Sequence, residues 1–419
     1  MKALFSLFLV FLFGCASAVN STEKPLFTLL PEDKEVEIGK SYIPYAIEEN
    51  DGLYPDQSVQ DYIKSLGQEI AKYTPRRLPY QFFVVNSENV NAFALPGGPV
   101  FVTRGLLLKL NNESELVGVL AHELGHINAR HHAKFLEKMY AMDLLFSIGS
   151  LLISDKPYGQ ALLQFGQIGG QLLTLKFSRD QEREADKLGV IYSLKAGYDP
   201  QGLVYVFETF KSMEKAKAPE WLLTHPLPQS RIKEVGREIE EIRPSGYLIS
   251  DSEDFQGIKK IVKGTEVSFE EFYKGKRAYE QKSFQTALSH FIKAIESYDK
   301  NYEAYLYMAY ILAQEGKVKE ALLYSNRAYS IMPKVFSTNY MHGLVLFRAG
   351  GHRESIHHLE EAKGLIPDYP DTYYYLGRDY EVLGNVRKAI ENYRTAIELA
   401  HGKRPWVDDA QERLRRLGG

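Results

Sequence analysis

Val59, Tyr62, Ile63, Leu66 and Ile70 recur at the three- and four-residue spacing of one helical face, and Thr74-Pro75 ends the run because proline supplies no backbone donor. The spacing predicts an amphipathic helix. Tyr80 to Val85, Val90 to Leu95 and Val100 to Thr103 are instead rich in β-branched and aromatic residues, the last two separated by Pro96-Gly97-Gly98-Pro99. These stretches predict a small antiparallel sheet. From Asn112 the helical period returns, with Asn112 as N-cap and Glu115 in capping-box position, and helices continue to about residue 242. The expected fold class is mainly α, with an α+β first domain over 21–242 followed by a helical solenoid.

Residues 139–176 are apolar and dotted with glycine, but Asp143 and Asp155-Lys156-Pro157 interrupt them before an 18-residue apolar stretch accumulates. A helical hairpin or lid is expected there. Residues 243–266 mix charge, serine and glycine without sustained period and read as a linker. Beyond them, superposition at a 34-residue interval aligns Ala287, Ala321, Ser355 and Ala389, then Ala294, Ala328, Ala362 and Ala396. Gly275, Ala309, Gly343 and Gly377 fall together, as do Gly316, Gly350 and Gly384, while Pro333 and Pro367 close their repeats. Over 267–401 this resembles about four tetratricopeptide repeats, in which small residues let paired helices cross closely, and 402–419 read as a terminal helix or tail. In that frame Phe272, Tyr279, Tyr310, Tyr340, Phe347 and Tyr374 are expected along an inner groove that receives a protein partner.

Residues 1–20 have a secretory signal layout: Lys2, an apolar run from Ala3 to Phe13, then small residues. Leu12-Phe13-Gly14-Cys15 resembles a bacterial lipobox, which would lipidate Cys15 and anchor the chain to a membrane. Ala16-Ser17-Ala18 fits ordinary signal cleavage instead. Either implies export. Cys15 is the single cysteine of the 419 residues, so no internal disulfide forms, and a net charge of -3 provides no cationic field for nucleic acid.

The chemistry concentrates at His122-Glu123-Leu124-Gly125-His126. On a helix the two histidines lie ~40° apart and ~6 Å along one face, close enough for both imidazoles to reach one ion. Leu116, Leu120, Leu124 and Ile127 form an apolar stripe on the other side, so the imidazoles are expected to face a cleft. Gly118 and Ala129 flank that face and leave room for substrate or a crossing helix. A second helix carries Glu182 and Asp186 one turn apart. Zinc accepts two imidazoles and a carboxylate and keeps a fourth position for water, so Glu182 completes the set and Asp186 orients a ligating histidine. Glu123 is then placed to act as the base on that water. His132 holds the place of a third histidine ligand, but Ala129 stands where a turning glycine is needed. His132 is therefore expected at the surface or supporting the fold, and Glu184, about 200° round from Glu182, is a minor candidate.

With NAFALPGG at 91–98, AHELGHINARH at 121–131, SRDQEREAD at 178–186 and LLTHPLPQSRI at 222–232, residues 36–240 resemble the gluzincin peptidases that include prenyl-protein endopeptidases and mitochondrial and bacterial quality-control proteases. The resemblance implies a zinc endopeptidase with one Zn2+ on His122, His126 and Glu182, Glu123 as base and Asp186 behind the metal. It further implies that His225 either caps the zinc in a latent state or stabilises the oxyanion, with Arg231 nearby. Asn91 and Ala92 would hold substrate backbone on a sheet edge. The implied substrates are misfolded or stalled envelope proteins, with the repeats recruiting them or an outer-membrane assembly complex. A repeat-based chaperone with a silent metal site is the rival.

Overall fold

The computed structural model describes residues 30–147, 170–213, 218–227, 229–244, 246–402 and 404–419. The signal layout, Cys15 and the centre of the apolar 139–176 stretch lie outside the described residues. Among the described residues no helix is long and apolar enough to cross a membrane.

Helix α1 (Glu32–Glu49) precedes α2 (Gln57–Ala71), the predicted amphipathic helix, which Asp56 caps by accepting from the Ser58 and Val59 amides. Strands β1 (Gln81–Val85), β2 (Ala92–Ala94) and β3 (Pro99–Thr103) form one sheet in the order β1-β3-β2. The sheet is mixed, which corrects the all-antiparallel expectation: β1 runs parallel to β3, with Gln81 opposite Pro99, and only β2 and β3 make the hairpin. The connection 86–91 carries the chain past β3 at the end where β1 stops, and β2 runs back from there. Gly97 turns the hairpin at φ +75°, and α1 closes over it at Gly39, where a Cβ would lie 1.7 Å from the Pro96 carbonyl oxygen.

Helix α3 (Arg104–Lys109) leads to α4 (Glu113–Asn128), which is buried on every side. Asn112 caps it by accepting from Glu115 N at 3.0 Å, while the Glu115 carboxylate takes the Asn111 amide, one residue earlier than a strict capping box requires. Around α4 pack α2, the sheet, α5 (His131–Ser147), α6 (Arg179–Lys195) and α7 (Gln201–Met213). Gly118 faces the crossing helix α7, not an open space, since a Cβ there would meet Leu203 N at 2.8 Å. The short α8 (Trp221–Thr224) and α9 (Gln229–Ile242) complete the layer on the far side.

The stretch read as a linker is folded. Ile249 bridges Tyr198, and α10 (Glu253–Gly264), capped by Ser252, buries Phe255, Ile258 and Val262. Its apolar face is carried by only three large residues, too few to stand out among the surrounding charges. Thr265 alone separates α10 from the repeats, which pair α11 (Glu266–Glu280) with α12 (Phe284–Ser297), α13 (Tyr302–Gln314) with α14 (Val318–Ile331), α15 (Phe336–Ala349) with α16 (His352–Leu365), and α17 (Pro370–Val382) with α18 (Val386–Ala400). Helix α19 (Val407–Arg416) closes the end. The recurrent small positions are helix crossings: a Cβ on Gly275, Gly343 or Gly377 would meet Phe291, Leu359 or Tyr393 within 3 Å. Of the six aromatics expected along the groove, Phe272 is fully buried and Tyr374 nearly so, because both rings fill the cores between helices; the other four are half-buried.

The first domain grips the array through α1. Tyr45 Oη donates to Asp368 at 2.6 Å, Ser337 N donates to Glu48 at 3.0 Å, and Lys276 pairs with Asp51 at 2.7 Å.

Candidate metal centre

The two histidines of α4 bring their Nε2 atoms to 3.1 Å, and α6 lays Glu182 against them, with its carboxylate 3.8 Å from His122 and 3.5 Å from His126. This approach depends on small residues at the crossing. A Cβ on Gly125 would stand 2.8 Å from Ala185 O, and one on Gly189 would stand 3.2 Å from His122 N. His225, at the end of α8, joins the group, so that His122, His126, Glu182 and His225 each offer a donor atom within 4.8 Å of the others. The His225 ring stacks on Trp221 at 4.4 Å and 8°, and its Nε2 lies 3.7 Å from Glu123.

Behind this first layer charged and polar groups lie close to the ligand candidates. Asp186 Oδ1 lies 2.9 Å from His122 Nδ1, and Arg231 of α9 binds both Asp186 oxygens and, at 2.5 Å, Glu182. Trp221 Nε1 donates to Glu123 Oε1 at 3.2 Å. His131 brings Nδ1 to 2.9 Å from His126 Nδ1 and Nε2 to 3.1 Å from Glu184. Glu184 thus stands behind a histidine that itself stands behind His126. His132 lies outside the donor group, with its ring 6.5 Å from that of His126 and 5.2 Å from that of Phe177. It is buried, and the chain does turn without a glycine: Arg130 takes φ +59°, held by Glu35 and the Leu30 carbonyl. The turn that Ala129 was expected to forbid occurs one residue later.

The expected cleft is closed. His122, Glu123, His126 and Glu182 are fully buried, and His225, Asp186 and Arg231 are at most 2% exposed. Asn91 and Ala92 are also covered, which corrects the expectation of an open sheet edge: Asn91 Nδ2 reaches Glu220 and Val90 O accepts from Trp221 N. Burial sets the protonation states. It pushes the Glu123 carboxyl up to about 8, against a partial pull from Trp221 and Arg231. It holds His126 and His225 well below the usual imidazole range and lowers His122 despite Asp186. For Asp186 burial is outweighed by Arg231 and His122, which keep it ionised below its ordinary value.

Glu182 Oε1, Glu123 Oε2 and His225 Nε2 are buried without a hydrogen-bond partner. Three orphaned polar atoms beside neutral imidazoles cost several kcal/mol together unless something satisfies them. A divalent cation that takes nitrogen and oxygen donors would satisfy Glu182 and His225 and leave Glu123 Oε2 open toward the site, and two or three imidazoles with one carboxylate suit zinc.

Residues 55–239 match the family model of peptidase family M48, and residues 274–334 and 370–402 match tetratricopeptide-repeat models. Residues 55–239 are thus an M48-type peptidase segment, followed by tetratricopeptide repeats. It is 31% identical over 240 residues to a Yersinia pestis protein named beta-barrel assembly-enhancing protease, covering 55% of this chain and 49% of that one. To the mitochondrial metalloendopeptidase OMA1 of Schizosaccharomyces pombe it is 34% identical over 180 residues, covering 42% and 50%. The chain spans about half the length of the curated relatives it matches. Among solved structures, YrrB, described as a TPR protein with an unusual peptide-binding site, shares 18% identity over 44% of this chain and 86% of its own, with a TM-score of 0.32, too low to carry a functional argument.

Within the M48 domain, sequence reading missed His131, Trp221 and the paired glycines Gly125 and Gly189. His131 follows His126 by five residues, which on a continuous helix faces away. Only the break at Arg130 folds it back. Gly125 inside the HExxH motif and Gly189 one turn past Asp186 were available signals for a close helix crossing.

Proposed function

We propose that this chain is a zinc endopeptidase that cleaves unfolded or misassembled proteins of the cell envelope, with the repeats recruiting substrate or an assembly complex. The observation that carries the reading is the set of buried, orphaned acceptors around His122, His126 and Glu182, which calls for a cation beside a carboxyl free to move protons. The names of the relatives support the envelope setting, and the signal layout before residue 20 agrees with export.

His122, His126 and Glu182 would hold the metal. Zinc supplies Lewis acidity, activating water at neutral pH and polarising the scissile carbonyl. Beside a bound cation, whose charge favours the carboxylate form, Glu123 would accept the proton of the attacking water on its unpartnered Oε2 and pass it to the leaving amine. Trp221 fixes the other oxygen of that carboxyl. Asp186 keeps His122 in the tautomer that presents Nε2, and Arg231 offsets the negative charge of Asp186 and Glu182.

His225 acts as a cap in the closed arrangement, filling the position a substrate oxygen would need. Displacing the Glu220–His225 segment frees both that position and the β2 edge, where Asn91 and Ala92 take substrate backbone as an added strand. The burial of the whole site also favours the rival, a repeat chaperone whose protease stays silent. Incubation of the zinc-loaded full chain with a permanently unfolded protein separates them. Cleavage by the parent, loss by at least a hundredfold in Glu123→Gln with zinc retained, and faster turnover in His225→Ala support the peptidase. No cleavage by parent or His225→Ala supports the chaperone.

A further inference from the structure

The repeats contain a second pair of imidazoles at the same ring spacing and tilt as the first. The rings of His342 on α15 and His358 on α16 have centroids 4.7 Å apart at 71°, and those of His122 and His126 are 4.7 Å apart at 72°. Both Nδ1 atoms are engaged. His342 Nδ1 lies 3.0 Å from Ser325 Oγ, whose own proton goes to the Leu322 carbonyl at 3.2 Å. His358 Nδ1 lies 3.4 Å from Asn339 Oδ1, and the Asn339 amide is fixed in that sense by donating to the Pro333 and Val335 carbonyls at 2.7 and 2.9 Å. An acceptor at each Nδ1 draws the ring proton there and leaves the Nε2 lone pair bare, the tautomer that metal-binding histidines use. Neither Nε2 has a protein partner among the described residues, and with His342 and His358 6% and 8% exposed the pair is reachable from solvent.

The repeat frame shows that packing alone does not require these residues. One repeat away from His342 stand Met308 and Leu376, both buried and apolar, and the positions equivalent to Ser325 are Phe291, Leu359 and Tyr393. Between the second and third repeats an apolar contact is exchanged for an imidazole together with the hydroxyl that orients it, while the first repeat places Lys274 and His290 at the positions of His342 and His358. Tyr329 walls the pair, with its ring 5.5 Å from His342 and 4.6 Å from His358. His357, exposed, has its ring 5.1 Å from that of His358.

We propose that His342 and His358 form an accessory site for an imidazole-preferring transition-metal ion, zinc or copper(II) by class, bound through the two Nε2 atoms with water completing the shell. The site is independent of the peptidase centre and belongs to the repeat that α1 touches at Ser337.

Equilibrium dialysis of the full chain against micromolar free Zn2+, followed by metal analysis, tests it. The comparison is the double variant His342→Leu, His358→Asn, which installs the residues that Leu376 and Asn392 supply one repeat later. The parent is expected to hold one more zinc per chain than the double variant, at unchanged helical circular dichroism. Equal zinc content in the two overturns the proposal. Should the double variant fail to fold, His358→Asn alone is read in the same way, since a single imidazole does not retain the ion through dialysis.

Discussion

Arg231 holds Asp186 through two parallel contacts, Nε to Oδ2 at 2.7 Å and Nη2 to Oδ1 at 2.8 Å, inside a site that admits almost no solvent. The same guanidinium reaches Glu182, so one side chain orders the carboxylate behind His122 and the carboxylate beside it. Lysine carries the charge but not the planar fork. Arg231→Lys is therefore expected to weaken zinc binding about 10- to 100-fold, measured by competition with a chromophoric chelator. An unchanged affinity would show that the fork orders nothing the metal uses.

His131 makes a parallel prediction for the other imidazole. It connects His126 to Glu184 and has no other evident task in a fully buried position. His131→Ala should lower zinc affinity by about tenfold or more, with Glu184→Gln shifting it less in the same direction, in the chelator assay. Equal affinities for both variants and the parent would reduce His131 to packing.

The contact between α1 and the repeats is expected to depend on pH through Glu48. Burial pushes its carboxyl up to about 7, although the Ser337 amide that donates to it pulls the other way. The unfolded carboxyl titrates near 4.5, so between those values the folded chain binds more protons than the unfolded one, and stability falls as pH rises until it levels above 7. Glu48→Gln mimics the protonated form and removes this loss, which is on the order of 3 kcal/mol at most. Melting temperatures of parent and variant should coincide near pH 4.5 and diverge toward pH 7.5, with the variant higher. Parallel curves would exclude Glu48 as the source.

Lys282 occupies the turn between the first two repeat helices with φ +59°, where the next three repeats place Gly316, Gly350 and Gly384 at φ +78°, +83° and +74°. A side chain in that region costs about 1 kcal/mol relative to glycine. Lys282→Gly should stabilise the chain by roughly 0.5 to 1 kcal/mol in urea unfolding. A loss of stability would mean that the lysine side chain makes a contact worth more than the strain.

Much of this was legible in the order of residues. The 34-residue period marked the array and its small positions, since stacked repeats need the same small residue at the same crossing. The HExxH motif and the Glu182/Asp186 pair met as expected because each lies within one helix, where spacing determines direction. What escaped reading depends on chain reversals. His131 reaches His126 only through the left-handed Arg130, β1 joins β3 in parallel because the connection 86–91 passes β3 before β2 forms, and α10 hides among charges because three buried side chains suffice to hold it. The closure of the site escaped for a similar reason: nothing in the spacing of LLTHPLPQSRI tells that Trp221 will stack on His225 above the histidines.

The central claim is that one cation sits between His122, His126 and Glu182. Zinc anomalous scattering from crystals of the full chain tests it most directly. The account predicts a peak within bonding distance of both Nε2 atoms and the Glu182 carboxylate; a zinc-loaded crystal with no density there would contradict it.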